Sequence, residues 1–155
     1  MGSESITFTV SGVPKPGGSK RAFVKFAKSG KAYANITDDS GKGGTDWRGD
    51  VKSAALAAYR GDPMDTPLSL TVVFIMPRPS AHWRKNGALK PNAPSFHAVK
   101  PDATKLLRSL EDALTGIIWR DDSRIVEQNV TKRYGTKPGA EVTVTVLTAT
   151  PAGRA

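Results

Sequence analysis

The stretch LSLTVVFIMP (68–77) constrains this chain more than any other. Apolar side chains run through it almost without interruption, and Pro67 and Pro77 bound it. A strand with one wet face alternates, whereas a nearly continuous run predicts a strand in the middle of a sheet. The remaining elements must then supply its neighbours and its cover. SITFTV (5–10) reads as a strand, AFVKFAKSGKAYAN (22–35) as a hairpin around Ser29-Gly30, and 124–134 and 141–149 as closing strands. TDDSGKGG (37–44) reads as a polar turn. A helix is expected from Thr45, as its cap, to Tyr59, with Trp47, Val51, Ala54, Ala55 and Ala58 on one side and Gly61 and Pro63 as stops. A second helix is expected at 103–115, ended by Gly116. Strands and two main helices without regular βαβ alternation predict an α+β fold, a mixed β-sheet packed with helices, in a single domain over residues 1–155.

Composition narrows the function. At 38% hydrophobic the chain can bury a core, which excludes disorder throughout. It has no cysteine, hence no disulfide and no thiolate metal site. It has no apolar run long enough to span a bilayer, and its start MGSESITFTV lacks the basic and apolar regions of a signal peptide. A soluble, cytoplasmic protein with no membrane partner and no small-molecule cofactor is expected. The net charge of +9 and the pI near 10.0 favour a polyanion, nucleic acid ahead of a membrane surface. An inert basic surface is the plain alternative.

The cations gather in two places. Lys15, Lys20 and Arg21 lie in or beside the Gly/Pro-rich turn SGVPKPGGSKR (11–21). Arg84, Lys85, Lys90 and Lys100 lie in a long segment between Arg78 and Lys100 that carries no acid and has no assignable regular structure. These seven are the candidate DNA-binding residues, as phosphate contacts. Trp83, in the same segment, suits either an exposed base or the edge of the core. His82 and His97 flank it.

Against that basic field the acids in HAVKPDATKLLRSLEDALTGIIWRDDSRIVEQNVTKRYG (97–135) stand out. On the second helix Leu106, Leu107, Leu110, Ala113 and Leu114 make an apolar stripe that should face the core, and Thr104, Arg108, Glu111 and Thr115 lie on another. Asp102 stands at the helix start. Asp121 and Asp122 follow the helix and reach back to Asp102 only through an extended return; otherwise a site containing both needs a second subunit. Clustered carboxylates suit Mg²⁺, with Mn²⁺ as a substitute, and would let a basic surface hold nucleic acid while the acids hold the metal that cuts it. The same residues also read as a helix cap, a turn pair and solvated helix charge.

KPDATKLLRSLEDALTGIIWRDDSRIV resembles the signature of the RusA-type Holliday junction resolvases, a K-P-D-x-D-N-L-x-K start, a D-A-L-x-G helix end and a D-D-x-Q-I pair. Lys100-Pro101-Asp102, Leu106, Asp112-Ala113-Leu114, Gly116, Asp121-Asp122 and Ile125 match it. ITFTVSGVPKPGGSKR (6–21) and VTKRYG (130–135) are similar to the family's opening and to the strand after the Asp pair. The resemblance implies a RusA-like fold and a Mg²⁺-dependent endonuclease, common in phages and prophages, that nicks four-way DNA junctions in pairs as a homodimer. It implies Asp102 and Asp122 as metal ligands, Asp121 as the other member of the pair, and Arg108 at the catalytic lysine position. Thr104 stands where the family has a second catalytic Asp, and Lys105 where it has Asn. Glu111, on the stripe of Thr104, is a candidate to make up the missing carboxylate. A non-catalytic junction-binding protein whose site decayed at Thr104 is the alternative. A basic RNA-binding domain of the ribosomal sort explains neither the Asp pair nor the match.

Overall fold

The computed structural model describes residues 4–17, 20–26, 32–38 and 41–148. Its main sheet has four strands in the order β1 (Ser5–Ser11), β6 (Gly139–Val146), β4 (Leu68–Met76), β5 (Ile125–Tyr134). β1 and β4 run antiparallel to β6, while β4 and β5 are parallel, so the sheet is mixed. β2 (Lys20–Phe26) and β3 (Ala32–Asp38) pair separately as an antiparallel ribbon. Two helices complete the α+β fold, α1 (Gly41–Ala58) and α2 (Ala103–Leu114).

β4 sits between β5 and β6, as its apolar run requires. From Leu70 onward the strand alternates: Leu70, Val72, Phe74 and Met76 are buried, while Val73 and Ile75 are half-buried. The buried face continues through Phe8 and Val10 of β1 and Ala140, Val142 and Val144 of β6. Trp47, Val51 and Ala55 of α1 and the α2 stripe belong to the same core. Of the expected α1 face, Ala54 is half-buried and Ala58 is exposed. The opposite sheet face is more open, and there Ser5 and Thr145 share a 2.9 Å hydrogen bond across β1 and β6.

Several boundaries differ from expectation, among them the last strand, which runs Gly139–Val146 instead of 141–149. α1 begins at Gly41, so Thr45 lies inside the helix; of the expected polar turn, residues 37–38 end β3 and residues 41–44 open α1. Gly-rich, polar sequence reads as turn because glycine weakens a helix, but that cost of about 1 kcal/mol per residue is overridden when tertiary packing holds the helix. The hairpin exists with longer arms, β2 pairing Lys20 with Asp38 at one end and Phe26 with Ala32 at the other. Its expected tip at Ser29-Gly30 lies outside the described residues. No helix among the described residues is long and apolar enough to cross a membrane.

The segment 78–100 is tied down around one ring. Tyr134, at the end of β5, carries the Arg78 guanidinium 5.2 Å from its ring centroid. The His82 and His97 rings meet it edge-on, with centroids 4.8 and 5.0 Å away. Arg78 also donates to the Pro94 carbonyl at 2.8 Å. Within the loop Arg84 N donates to Ala88 O at 2.7 Å and Lys90 N to His82 O at 2.9 Å, a small hairpin with Gly87 at its turn. Its far end lies along β5, where His97 N donates to Lys132 O and Tyr134 N to Ser95 O. Trp83 is half-buried.

Candidate active site

α2 organises the acids that the sequence singled out. Its buried side is Leu106, Leu107, Ser109, Leu110, Ala113 and Leu114, the expected stripe with a serine added. Gly116, at φ +88°, turns the chain out of the helix, a conformation that glycine adopts at no steric cost. The chain then folds back compactly: Ile117 N and Ile118 N donate to Leu114 O, and Gly116 N donates to Trp119 O. Ile118 and Trp119 are fully buried, and Met64 pairs with this turn through its N–H to Ile118 O and its carbonyl from Arg120 N. The return after the helix is therefore folded rather than extended.

This geometry separates the acids. Asp102 is the N-cap of α2; its backbone carbonyl accepts from Lys105 N and Leu106 N at 3.1 Å each, while its carboxylate makes no capping hydrogen bond. Asp122 stands at the other end. Its Oδ1 accepts from the Thr115 hydroxyl and, at 3.2 Å, from the Trp119 indole N–H, which also donates to Thr115 Oγ1 at 2.9 Å. A helix of 12 residues spans about 18 Å along its axis, with Asp102 at its start and Asp122 against Thr115 at its end. Among the described residues no three His, Asp or Glu side chains converge as a metal site. Asp121 is engaged locally, since its carboxylate accepts from Ser123 N at 2.8 Å and caps the 3-10 turn Asp122–Arg124. The Ser123 backbone N–H, followed by its side chain, holds Asp121 below the usual carboxylate pKa.

Glu111 belongs to the Asp122 end. It is half-buried, not a solvated helix charge, and Gln128 of β5 donates to its Oε1 at 2.5 Å. Burial raises its pKa, the Gln128 hydrogen bond offsets part of that, and the neighbouring Asp122 and Asp112 charges raise it further. Thr104 lies in the first turn of α2, exposed, beside Gln128 and Val130. Glu111 thus sits beside Asp122, away from Asp102.

The Asp102 end opens on a cleft of about 510 Å³ between the turn Val13–Pro16 and the segment Lys100–Asp102. Lys15, Lys100 and Lys105 stand around it with Asp102. The turn is fixed to the helix: Gly17 N donates to Lys105 O at 2.9 Å, and Gly17 lies against the Ser109 backbone and the stem of Arg108. Lys132 holds the other wall, its ammonium donating to Val99 O and Pro101 O at 2.8 Å each, on either side of the cis Lys100–Pro101 peptide. Burial, and then the Lys132 charge, hold the His97 imidazole below its usual pKa.

Of the other cations, Arg84, Lys85 and Lys90 are exposed on the 78–100 loop, and Lys20 and Arg21 are carried by β2 opposite Asp38 and Thr37. Sequence reasoning missed Lys132 and Trp119. The run GIIW between a helix-ending glycine and the Asp pair was the signal for Trp119; nothing in sequence marks Lys132, whose two carbonyl partners lie more than thirty residues away.

Comparison with known proteins gives this arrangement a context. Residues 14–145 match the family model described as Endodeoxyribonuclease RusA. The chain belongs to the RusA endodeoxyribonuclease family. It is also 26% identical over 155 residues to the uncharacterized protein YqaN of Bacillus subtilis (strain 168), an alignment covering 94% of this chain and 99% of that one. The RusA match contains both ends of α2, the Asp pair and all of the cleft lining but Val13. Membership makes DNA the polyanion and phosphodiester cleavage the family chemistry.

Proposed function

We propose that the protein is a structure-specific endonuclease that resolves four-way DNA junctions with Mg²⁺, or Mn²⁺ in its place, acting as a homodimer in the cytoplasm of a bacterium or a phage-infected cell. The observation that carries this reading is the Asp102 carboxylate, which takes no part in capping its own helix and borders a lysine-rimmed cleft. Carboxylate oxygens have the right chemistry for Mg²⁺, which takes one or two of them and keeps water. One chain holds its two candidate ligands at opposite ends of α2, so each site takes Asp102 from one copy and Asp122 from the other. Asp121, occupied by its own turn, supports Asp122. When bound, Mg²⁺ supplies positive charge to the phosphodiester and lowers the pKa of water.

The chain's own residues do the rest. Lys15, Lys100 and Lys105 neutralise phosphates beside Asp102, and Arg84, Lys85, Lys90, Lys20 and Arg21 extend the contact along the arms. Arg108 supplies a fixed cation where the family has lysine, without lysine's proton chemistry. Thr115 and Trp119 hold Asp122 in one orientation. Two sites related by a two-fold axis give paired nicks in a substrate that is itself two-fold symmetric.

Cleavage of a synthetic four-way junction, against a linear duplex of the same sequence, tests this reading. Mg²⁺-dependent cutting of the junction alone is expected, and Asp102→Asn and Asp122→Asn should each abolish it while still binding. Mixing the two inactive variants should restore single nicks, because one site of each mixed dimer keeps both aspartates. A wild-type protein that binds the junction tightly and never cuts it would instead establish the non-catalytic reading, for which the missing carboxylate at Thr104 is the argument.

A further inference from the structure

The cleft beside Asp102 is more apolar than a phosphate grip needs. Phosphates are held by cations and backbone N–H groups. Here the three lysines and Asp102 share the lining with Val13, Pro14, Pro16, Met76, Pro77 and Pro101. His97 completes the wall; it is 7% exposed, and its Nδ1 has no hydrogen-bond partner among the described residues. The volume of about 510 Å³ is that of a small-molecule site, which runs from about 300 to 1,000 Å³. An intact duplex offers no base face to such a cleft, because its bases are stacked inside.

A base freed from the stack does. It has two apolar faces, a polar edge and a phosphate on either side. Its faces match the proline and methionine surfaces, and its phosphates match Lys15, Lys100 and Lys105 beside them. Freeing a base costs least where pairing is already broken, as at the exchange point of a junction. We propose that this cleft receives one unstacked nucleobase from the strand to be cut, next to the phosphodiester that Asp102 addresses. The inference rests on the junction-endonuclease reading and adds to it a place where sequence preference is set: the base that fits the cleft selects the bond that is cut.

The test uses the full-length protein, chelator to prevent cutting, and junctions carrying a single 2-aminopurine, a base whose fluorescence rises on unstacking, at successive positions around the exchange point. A several-fold rise at one position per cut strand is expected at saturating protein. Val13 is 41% exposed at the mouth, so Val13→Trp fills the cleft without disturbing the core. That variant should abolish the rise on junctions it still saturates and, with Mg²⁺ restored, should even out the cutting across different dinucleotides. A rise that Val13→Trp leaves intact, or no rise at any position on a saturated junction, overturns the cleft proposal and leaves the endonuclease reading standing. A wild-type protein that does not bind the junction overturns both.

Discussion

Asp122 is held by two donors from the turn behind it, and that makes its orientation testable one atom at a time. Trp119→Phe keeps the buried ring and removes the indole N–H that reaches both Asp122 and Thr115. It should lower the cleavage rate about tenfold, equivalent to about 1.4 kcal/mol of barrier, with junction affinity unchanged, as read by single-turnover cutting beside gel shifts in chelator. Glu111 behaves oppositely. Its pKa is raised in the fold, so its contribution to stability is fully present below the unfolded carboxylate value and is lost as pH rises through the raised value. Glu111→Gln, which keeps an acceptor for Gln128, should therefore melt higher than wild type at neutral pH without metal, and the advantage should vanish below about pH 4. Thermal melts across pH check this; a variant that melts lower at neutral pH would show that the carboxylate is worth more charged than neutral.

Among the elements, α2 is the most legible in sequence and the 78–100 loop the least. The stripe Leu106, Leu107, Leu110, Ala113, Leu114 repeats at helical spacing, and all five are buried in one core. The start of α1 is hidden because Gly41, Gly43 and Gly44 carry a turn signal, yet the helix runs through all three. The loop is ordered by Tyr134, which gathers Arg78, His82 and His97 from positions far from it in sequence, and no local pattern encodes that. In the site, the acids are identifiable by type; that Thr115 and Trp119 hold Asp122, and that Lys132 holds the Val99 and Pro101 carbonyls, becomes visible only in the fold. The strands carry a test of their own. A Cβ at Gly139, where β6 begins opposite Ser11, would drive into the Val10 carbonyl oxygen. Gly139→Ala should cost about 1–3 kcal/mol in denaturant unfolding, through overpacking against backbone that cannot yield.

For the whole molecule, the excess of 23 Lys and Arg over 14 Asp and Glu is a statement about salt. If six of the exposed cations contact phosphate, junction affinity should fall on the order of 10³-fold between about 50 and 200 mM salt. Titrations at several salt concentrations measure the slope directly, and a nearly flat response would mean that these cations do not touch the backbone.

The parallel pairing of β4 with β5 has a kinetic consequence. Those strands are joined by residues 77–124, a segment that includes both ends of α2, one wall of the cleft and the Asp pair. Closing so long a connection costs chain entropy before any contact repays it, and non-local pairings of this kind form slowly. The hairpins and the helix can gather early, but Lys132 and Gln128 reach their partners only when β5 docks beside β4. Recovery of nuclease activity on refolding should therefore follow that one closure, lagging behind the return of helix.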